Sequence, residues 1–213
     1  MGNFEKLAIA LLLVALHAVG FNELQISKLK TVEKPIGKAI VESKPVPTKN
    51  INSNLGIDII PKGVPRIYGN ELGVGYDDIS ASNQQKADST IRKLGILDQQ
   101  ISLSGKDLEK YISIASQISC EYCCGVDSII FSDGKPACSC AHSFAMRGLT
   151  KYLIKYHGNE YSNDEILEEL GKWKTLFFPS QTTQKAKVLQ EKGIDLGYIN
   201  LASNKYRGVE NAI

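Results

Sequence analysis

Residues 120–142 read CEYCCGVDSIIFSDGKPACSCAH, and this stretch holds every cysteine of the 213-residue chain. The five cysteines form two groups, Cys120, Cys123 and Cys124 followed by Cys138 and Cys140. A chain that used cysteine as a small apolar core residue would scatter it along the sequence. Thiols in two tight groups are placed for metal ligation, disulfide chemistry or both. The function is therefore to be sought in this cluster.

Metal ligation is the leading interpretation of the two groups. A CxxC pair lets successive thiolates point at one ion, and a second pair from a returning chain completes a tetrahedral site. The simplest four ligands are Cys120, Cys123, Cys138 and Cys140, and Cys124 is the alternative to Cys123. The second pair is CxC rather than CxxC, which departs from the common zinc-ribbon spacing.

One further ligand and several metals fit the same pattern. His142 follows Cys140 by two residues and is a sixth potential ligand, in place of one thiolate. Zinc is the preferred ion because a tetrathiolate site contributes folding free energy in small zinc domains. Soft thiolate ligands also suit Cu(I) or an iron–sulfur cluster, and the spacing does not choose among these.

Two interpretations without a metal also stay open. The pair Cys120–Cys123 is a CxxC motif, which exchanges disulfides when one thiolate is stabilised. Cys120 follows the C-terminal end of a predicted helix, where the dipole disfavours an anion, whereas Cys140 begins the next helix and gains from the dipole. The other interpretation is a structural clamp of two disulfides with one thiol left over.

The apolar pattern predicts a mainly α domain around the cysteines. An apolar stripe at helical spacing predicts a helix over residues 105–118 that ends just before Cys120. Asp133-Gly134 lies between two strand-like runs and predicts a β-hairpin that returns the second cysteine group to the first. Further helices are predicted over residues 83–94 (ended by Gly95), 140–157, 163–177 and 181–192. The expected fold is a small helical domain with a short β-hairpin that carries the cysteine cluster, after an N-terminal apolar helix and a linker.

The N-terminus differs from the rest of the chain. Leu7 to Phe21 reads LAIALLLVALHAVGF, an uncharged run that, carried on to Ile26, reaches the length of a membrane span. A retained anchor is expected, and a signal peptide cleaved after Ala18-Val19-Gly20 is the alternative. The expected organisation is residues 1–26 as anchor or signal, 27–60 as flexible linker, 61–196 as cysteine-rich domain and 197–213 as tail. A short head before a tethered domain favours an extracytoplasmic location, with the membrane as the partner of the N-terminal segment.

Charge and motifs exclude several function classes. A net charge of +2, a pI near 8.2 and the lack of long basic runs argue against nucleic acid as a partner. Asp164, Glu165, Glu168 and Glu169 resemble a paired-carboxylate site but fit a capped helix start better. His157 fits the last turn of a helix. The domain is therefore expected not to be an enzyme, and a thiol–disulfide oxidoreductase is the alternative; no feature identifies a protein partner.

The longer pattern CEYCCG…DGKPACSCAHSFAMRGLTKYLIKYHG…SNDEILEELGKWKTLFFP resembles a group of uncharacterised cysteine-rich, membrane-anchored proteins found chiefly in archaea. The resemblance runs from about Gly63 to Gly193 and implies a shared fold without an established activity. More distantly, the chain is similar to PCYCGC-motif lipoproteins and CcmH-like thiol proteins of cytochrome c maturation. Those families are extracytoplasmic, which supports the same location here. The CxxCC and CxC motifs depart from both, so neither activity is carried over.

Overall fold

Helices arranged around one central helix make up the architecture. The computed structural model describes residues 58–212, which belong to one compact unit. The α-helices in this part are α1 (Gly69–Leu72), α2 (Gln84–Gln100), α3 (Gly105–Ala115), α4 (Ala141–His157), α5 (Asn163–Phe177), α6 (Pro179–Glu191) and α7 (Tyr198–Ala202). Short 3₁₀ helices lie at Tyr76–Asp78, Asn204–Tyr206 and Val209–Ala212. Over residues 58–212, no helix has the length and apolar character that a bilayer span requires.

Helix α4 is the central element and packs most closely against α2. A Cβ atom added at Gly148 would lie 2.0 Å from the carbonyl oxygen of Leu94, and one added at Gly95 would lie 3.3 Å from Phe144 Cβ. The two glycines therefore let the helix backbones approach each other. Gly95 does not end α2, contrary to the expectation from sequence, because it serves this packing and the helix continues to Gln100.

Helix α5 joins the N-terminal part of the domain through a buried polar network. Its start carries the predicted capping box, in which Ser162 Oγ accepts from the Glu165 N–H and the Glu165 carboxylate accepts from the Ser162 N–H. Further along, Glu169 accepts hydrogen bonds from Tyr68 at 2.6 Å and from Tyr76 at 2.5 Å. Glu169 therefore lies in the core, and these hydrogen bonds explain how a carboxylate can occupy a buried helix position.

The β-hairpin expected around Asp133-Gly134 is wrong. The described residues contain isolated β-bridges, one of them between Ile130 and Pro136, and no β-strands. The chain does turn tightly there, with Gly134 at φ 82° and its N–H bonded to the carbonyl of Phe131. Pairing stops after one bridge because the Ile129 N–H, which would continue it by bonding to the carbonyl of Ala137, is bonded to the carbonyl of Ile118 instead.

The C-terminal segment, expected to be a polar tail, packs against the domain. It contains α7, in which Leu201 and Ala202 are buried. After α7, the side-chain amide of Asn204 donates to the carbonyls of Ser116 and Asp127, on either side of the first cysteine group. The segment thereby fixes both ends of the loop that carries these cysteines.

The predicted membrane segment, residues 1–26, lies outside the described residues, as does the linker up to residue 57. The structure describes the last three linker positions, 58–60, and of these Ile59 is buried and packs in one cluster with Leu189 and Leu201. The packed unit therefore includes Ile59. The anchor, its orientation and the extracytoplasmic location stay predictions.

Candidate metal centre

The first cysteine group lies in a tight turn after helix α3. Cys120 is fully buried, and its carbonyl oxygen accepts from the N–H groups of both Cys123 and Cys124, at 3.3 and 3.2 Å. This turn folds the CEYCC segment back on itself, so that one short segment of the chain carries all three thiols. Gly125 follows at φ 66°, a left-handed conformation that glycine adopts without strain.

The second cysteine group is fixed by the central helix. Arg147, a fully buried residue of α4, donates from Nη1 to the carbonyl of Cys138 at 2.8 Å and from Nε to the carboxylate of Asp98 at 2.8 Å. Because Arg147 is itself held by an ion pair inside the core, the backbone at Cys138 has a defined position. Two residues later the chain enters α4 with Cys140 at its start.

Cys140 occupies the N-cap of α4, where a helix stabilises an anion. Its sulfur accepts from the Ser143 N–H at 3.4 Å and lies 3.3 Å from the sulfur of Cys120. Hydrogen bonds from Cys120, His142 and Ser143, in that order of size, outweigh the effect of burial and lower the pKa of the Cys140 thiol to about 3. Cys140 is therefore a thiolate at neutral pH, as its place at a helix N-terminus predicts.

The other two thiols beside Cys140 are held protonated. The pKa of Cys120 is raised, chiefly by the hydrogen bond it gives to Cys140 and then by burial. The pKa of Cys123 is also raised, by burial and by the negative charge of Cys140. A bound cation would reverse both effects, because its charge stabilises every thiolate around it.

Four sulfur atoms lie close enough together to bind one metal ion. Those of Cys120, Cys123, Cys124 and Cys140 are all within 4.8 Å of one another. A tetrahedral zinc site with Zn–S bonds of about 2.3 Å places its sulfurs about 3.8 Å apart. The cluster has nearly these dimensions, so small side-chain movements would complete the site. Cys120 is buried and Cys123 and Cys124 are exposed, so the site lies at the surface of the domain.

Cys138 is in the structure the disulfide partner of Cys124. The Cα atoms of the two residues are 6.7 Å apart, within the range of protein disulfides. Cys120, Cys123 and Cys140 remain as free thiols. Cys124 thus belongs both to the group of four sulfurs and to the disulfide, and the two arrangements exclude each other at any one time. The set of four also differs from the simplest set considered from sequence, in which Cys138 stood in the place of Cys124.

His142, the remaining candidate ligand, packs between two aromatic rings. Its ring centroid lies 4.9 Å from that of Phe177 and 4.9 Å from that of Phe178. Its Nδ1 is buried and has no hydrogen-bond partner among the described residues. The structure places His142 beside Cys140, whose pKa it helps to lower, and outside the group of four sulfurs.

A buried ionic cluster, which we call the Glu121 clamp, fixes the first cysteine group through Glu121. Lys174 of α5 and Lys185 of α6 contact the same oxygen of Glu121, at 3.0 and 2.5 Å, and Glu210 lies 3.9 Å from Lys185. All four side chains are at most 4% exposed. Two positive and two negative charges make the cluster neutral, which is what burial of charged groups requires.

The clamp shifts the ionisation of its members. Burial acts to raise the pKa of Glu121, but the charges of Lys174 and Lys185 outweigh it and the pKa is lowered. Burial lowers the pKa of Lys174 to about 8, against the attraction of Glu121. A carboxylate between Cys120 and Cys123 is therefore anchored to two helices far away in sequence.

Sequence reasoning missed the clamp, although one signal was present. Lys185 lies at helical spacing from Thr182 and Leu189, both of which are buried. Lys174 likewise follows the buried Leu170 by one helical turn. A lysine in an apolar register, on each of two helices, indicates a buried acidic partner.

Comparison with known proteins identifies no relative. No family model matches the chain, and neither a curated protein nor a solved structure matches it. The protein is therefore described by its own features, as a helical domain with a cysteine cluster close enough to bind a metal and one disulfide.

Proposed function

We propose that the domain binds a soft metal ion, zinc by preference, through the thiolates of Cys120, Cys123, Cys124 and Cys140. The observation that carries the proposal is the convergence of these four sulfurs within 4.8 Å. Lys174 and Lys185 have their charges matched within the Glu121 clamp, and Arg207, which donates to the carbonyl of Gly125, pairs with Asp127. Four thiolates without a metal would repel one another, and a divalent cation removes that repulsion.

The role of the metal is structural or one of metal handling rather than catalysis. A closed tetrathiolate site leaves no open position for a substrate or water, which catalytic zinc sites keep. The carboxylates and histidines considered from sequence support this view. Glu169 is engaged by two tyrosines, and His157 lies between Glu71 and Glu160 at 3.0 and 2.6 Å.

Metal analysis of the full chain tests the proposal. Protein purified under reducing conditions without chelators is expected to carry about one equivalent of zinc and to have no visible colour. Visible absorbance with iron would identify a cluster instead, and copper would identify a Cu(I) site. Replacement by Co²⁺ provides a second readout, because tetrahedral thiolate coordination gives intense visible bands. Reduced protein that binds none of these metals would refute the proposal.

Single substitutions identify the ligands. Cys120→Ser, Cys123→Ser, Cys124→Ser and Cys140→Ser are each expected to weaken zinc binding. His142→Ala is the matched control, because the ring lies outside the four sulfurs and packs between Phe177 and Phe178. Its loss is expected to lower stability without changing the number of thiolates that coordinate Co²⁺.

A thiol–disulfide oxidoreductase is the second candidate, favoured by the ionised Cys140 thiol 3.3 Å from Cys120. The Cys140 thiolate would attack a substrate disulfide, and the Cys120 thiol would resolve the mixed disulfide, leaving a Cys120–Cys140 bond and two substrate thiols. Insulin reduction distinguishes the candidates. Turnover that is lost in Cys140→Ser and retained in Cys123→Ser would support the oxidoreductase.

We also propose, from the sequence of residues 1–26, that a membrane tether holds the domain outside the cytoplasm. The uncharged run and the linker after it support this arrangement. Fractionation of cells that produce the full chain is expected to find it in the membrane. Protease added to intact cells should then release a fragment that contains all five cysteines, whereas a fully protected domain would place it in the cytoplasm.

A further inference from the structure

We infer that Cys124 is a redox-controlled ligand: it binds the metal when reduced and is withdrawn from the metal when it forms the disulfide with Cys138. The inference rests on the proposed function and concerns the regulation of the same site. Its basis is that one sulfur atom, that of Cys124, belongs to both the four-sulfur group and the disulfide. The domain therefore has two states that differ in the partner of a single thiol.

The two cysteines of the disulfide differ in how firmly they are held. Cys138 is 6% exposed, and its carbonyl is bonded to the buried Arg147. Cys124 is exposed and is followed by Gly125 in a left-handed turn. Cys138 thus keeps its position in both states. The side chain of Cys124 is the one that turns, between Cys138 and the other three thiols. Because one cysteine is buried and the other is exposed, the disulfide can form and break without a change in the core.

The exchange needs an oxidant, which we name as a low-molecular-weight disulfide. The Cys124 thiolate attacks one of its sulfurs, forms a mixed disulfide and releases one thiolate. Cys138, which gives up its proton, then attacks the sulfur of Cys124 and releases the second thiol. In balance, two cysteine thiols are oxidised to one disulfide, the small disulfide is reduced to two thiols, and the metal ion leaves unchanged.

Loss of Cys124 leaves three thiols, Cys120, Cys123 and Cys140, and an open coordination position. Structural zinc sites have four protein ligands, so three form an incomplete site. Loss of a residue that only supports a ligand already lowers metal affinity by about 10–100-fold. Loss of a ligand itself is therefore expected to lower zinc affinity by at least about 100-fold. The disulfide would act as a switch for metal release.

The test uses the zinc-loaded full chain, freed of reductant, in buffers of increasing ratio of oxidised to reduced glutathione. Zinc release is followed with a coloured chelator, and the disulfides formed are mapped by mass spectrometry of peptides. We expect one equivalent of zinc to appear together with the loss of two thiols and with the Cys124–Cys138 bond. Reduction with excess thiol is expected to restore zinc binding.

Cys138→Ser is the decisive variant, because it keeps all four proposed ligands. It is expected to bind zinc as tightly as the natural chain, and to require at least about a ten-fold higher glutathione disulfide ratio for release, since the intramolecular second step is lost. Cys123→Ser is the matched control, which weakens zinc binding and still forms the Cys124–Cys138 bond.

The outcomes separate the switch from the proposed function. Reduced natural chain that binds no metal would refute the proposed function itself. Zinc that stays bound while the Cys124–Cys138 peptide is found would overturn the switch alone, as would release from Cys138→Ser at the same glutathione ratio. If Cys138→Ser does not fold, Cys138→Ala replaces it, and the peptide mapping of the natural chain decides the question without either variant.

Discussion

Replacement of Glu121 by glutamine tests how much the Glu121 clamp contributes to the stability of the fold. The substitution keeps the shape of the side chain and removes the charge that faces Lys174 and Lys185, at 3.0 and 2.5 Å. Removing one partner of a buried ion pair costs about 3–5 kcal/mol because the remaining charge stays buried. Lys174 still donates to the carbonyl of Ala202, and Glu210 remains near Lys185. We therefore expect a loss at the lower end, about 3 kcal/mol.

The assay is urea unfolding of the full chain, followed by the fluorescence of the single tryptophan, Trp173, which is buried. Chelator and a fixed redox buffer keep metal binding and disulfide exchange out of the measurement. With a denaturant slope of about 2 kcal/mol per M, the midpoint is expected to fall by about 1.5 M. Glu168→Gln is the matched control: its carboxylate is 44% exposed and pairs with Lys172, so the expected change is at most about 0.5 kcal/mol.

The pH dependence of this loss has a definite sign. The pKa of Glu121 is lowered in the folded state, so its stabilisation is complete above the ordinary value of 4.5 and disappears as the pH falls through the lower folded-state value. The difference in unfolding free energy between the natural chain and Glu121→Gln should therefore be constant from about pH 5 up to the titration of Lys174 near pH 8, and shrink in acid. A loss below about 1 kcal/mol at neutral pH, or a difference that grows in acid, would refute the argument.

Three further substitutions or modifications test other parts of the structure. Gly148→Ala places a Cβ 2.0 Å from a carbonyl oxygen of α2, so we expect α2 and α4 to separate and the thermal midpoint to fall by about 4–8 °C, for a cost near 2 kcal/mol. Arg147→Met should cost about 3 kcal/mol in urea unfolding, at the lower end for a broken buried pair because Lys151 still pairs with Asp98. In metal-free reduced protein, iodoacetamide should alkylate Cys140 at nearly the same rate at pH 6 and pH 8, while the rate at Cys123 rises about 100-fold, as peptide mass spectrometry would show. Equal pH dependence at the two cysteines would contradict the assigned thiolate.

The helices could be predicted from sequence where their signals are local. The capping box at Ser162 marks the start of α5, and Gly158 follows the last residue of α4 as expected. The end of α2 was predicted wrongly because a glycine in a helical pattern can either end the helix or allow another helix to pack closely against it. Gly95 has the second role, and only the position of Phe144 on another helix reveals it.

The candidate site could be predicted in outline, because its cysteines are close in sequence and a turn lies between the two groups. The choice between Cys124 and Cys138 could not be predicted, since it depends on how the CEYCC turn is oriented relative to Cys138. That orientation is set by contacts from residues far along the chain. Lys185 meets Glu121 across 64 residues, and Asn204 meets Asp127 across 77. The sequence around the cysteines contains no local pattern from which these long-range contacts could be predicted.

The distance in sequence between Glu121 and its lysines has a consequence for biosynthesis. Lys174 and Lys185 follow Glu121 by 53 and 64 residues. At a synthesis rate of about 5–20 residues per second, the cysteine segment emerges between about 3 and 13 s before the second lysine does. During that interval the nascent CEYCC turn lacks its anchor. An ion captured then has to organise the turn by itself, whereas an ion that arrives after release from the ribosome meets thiols already in place.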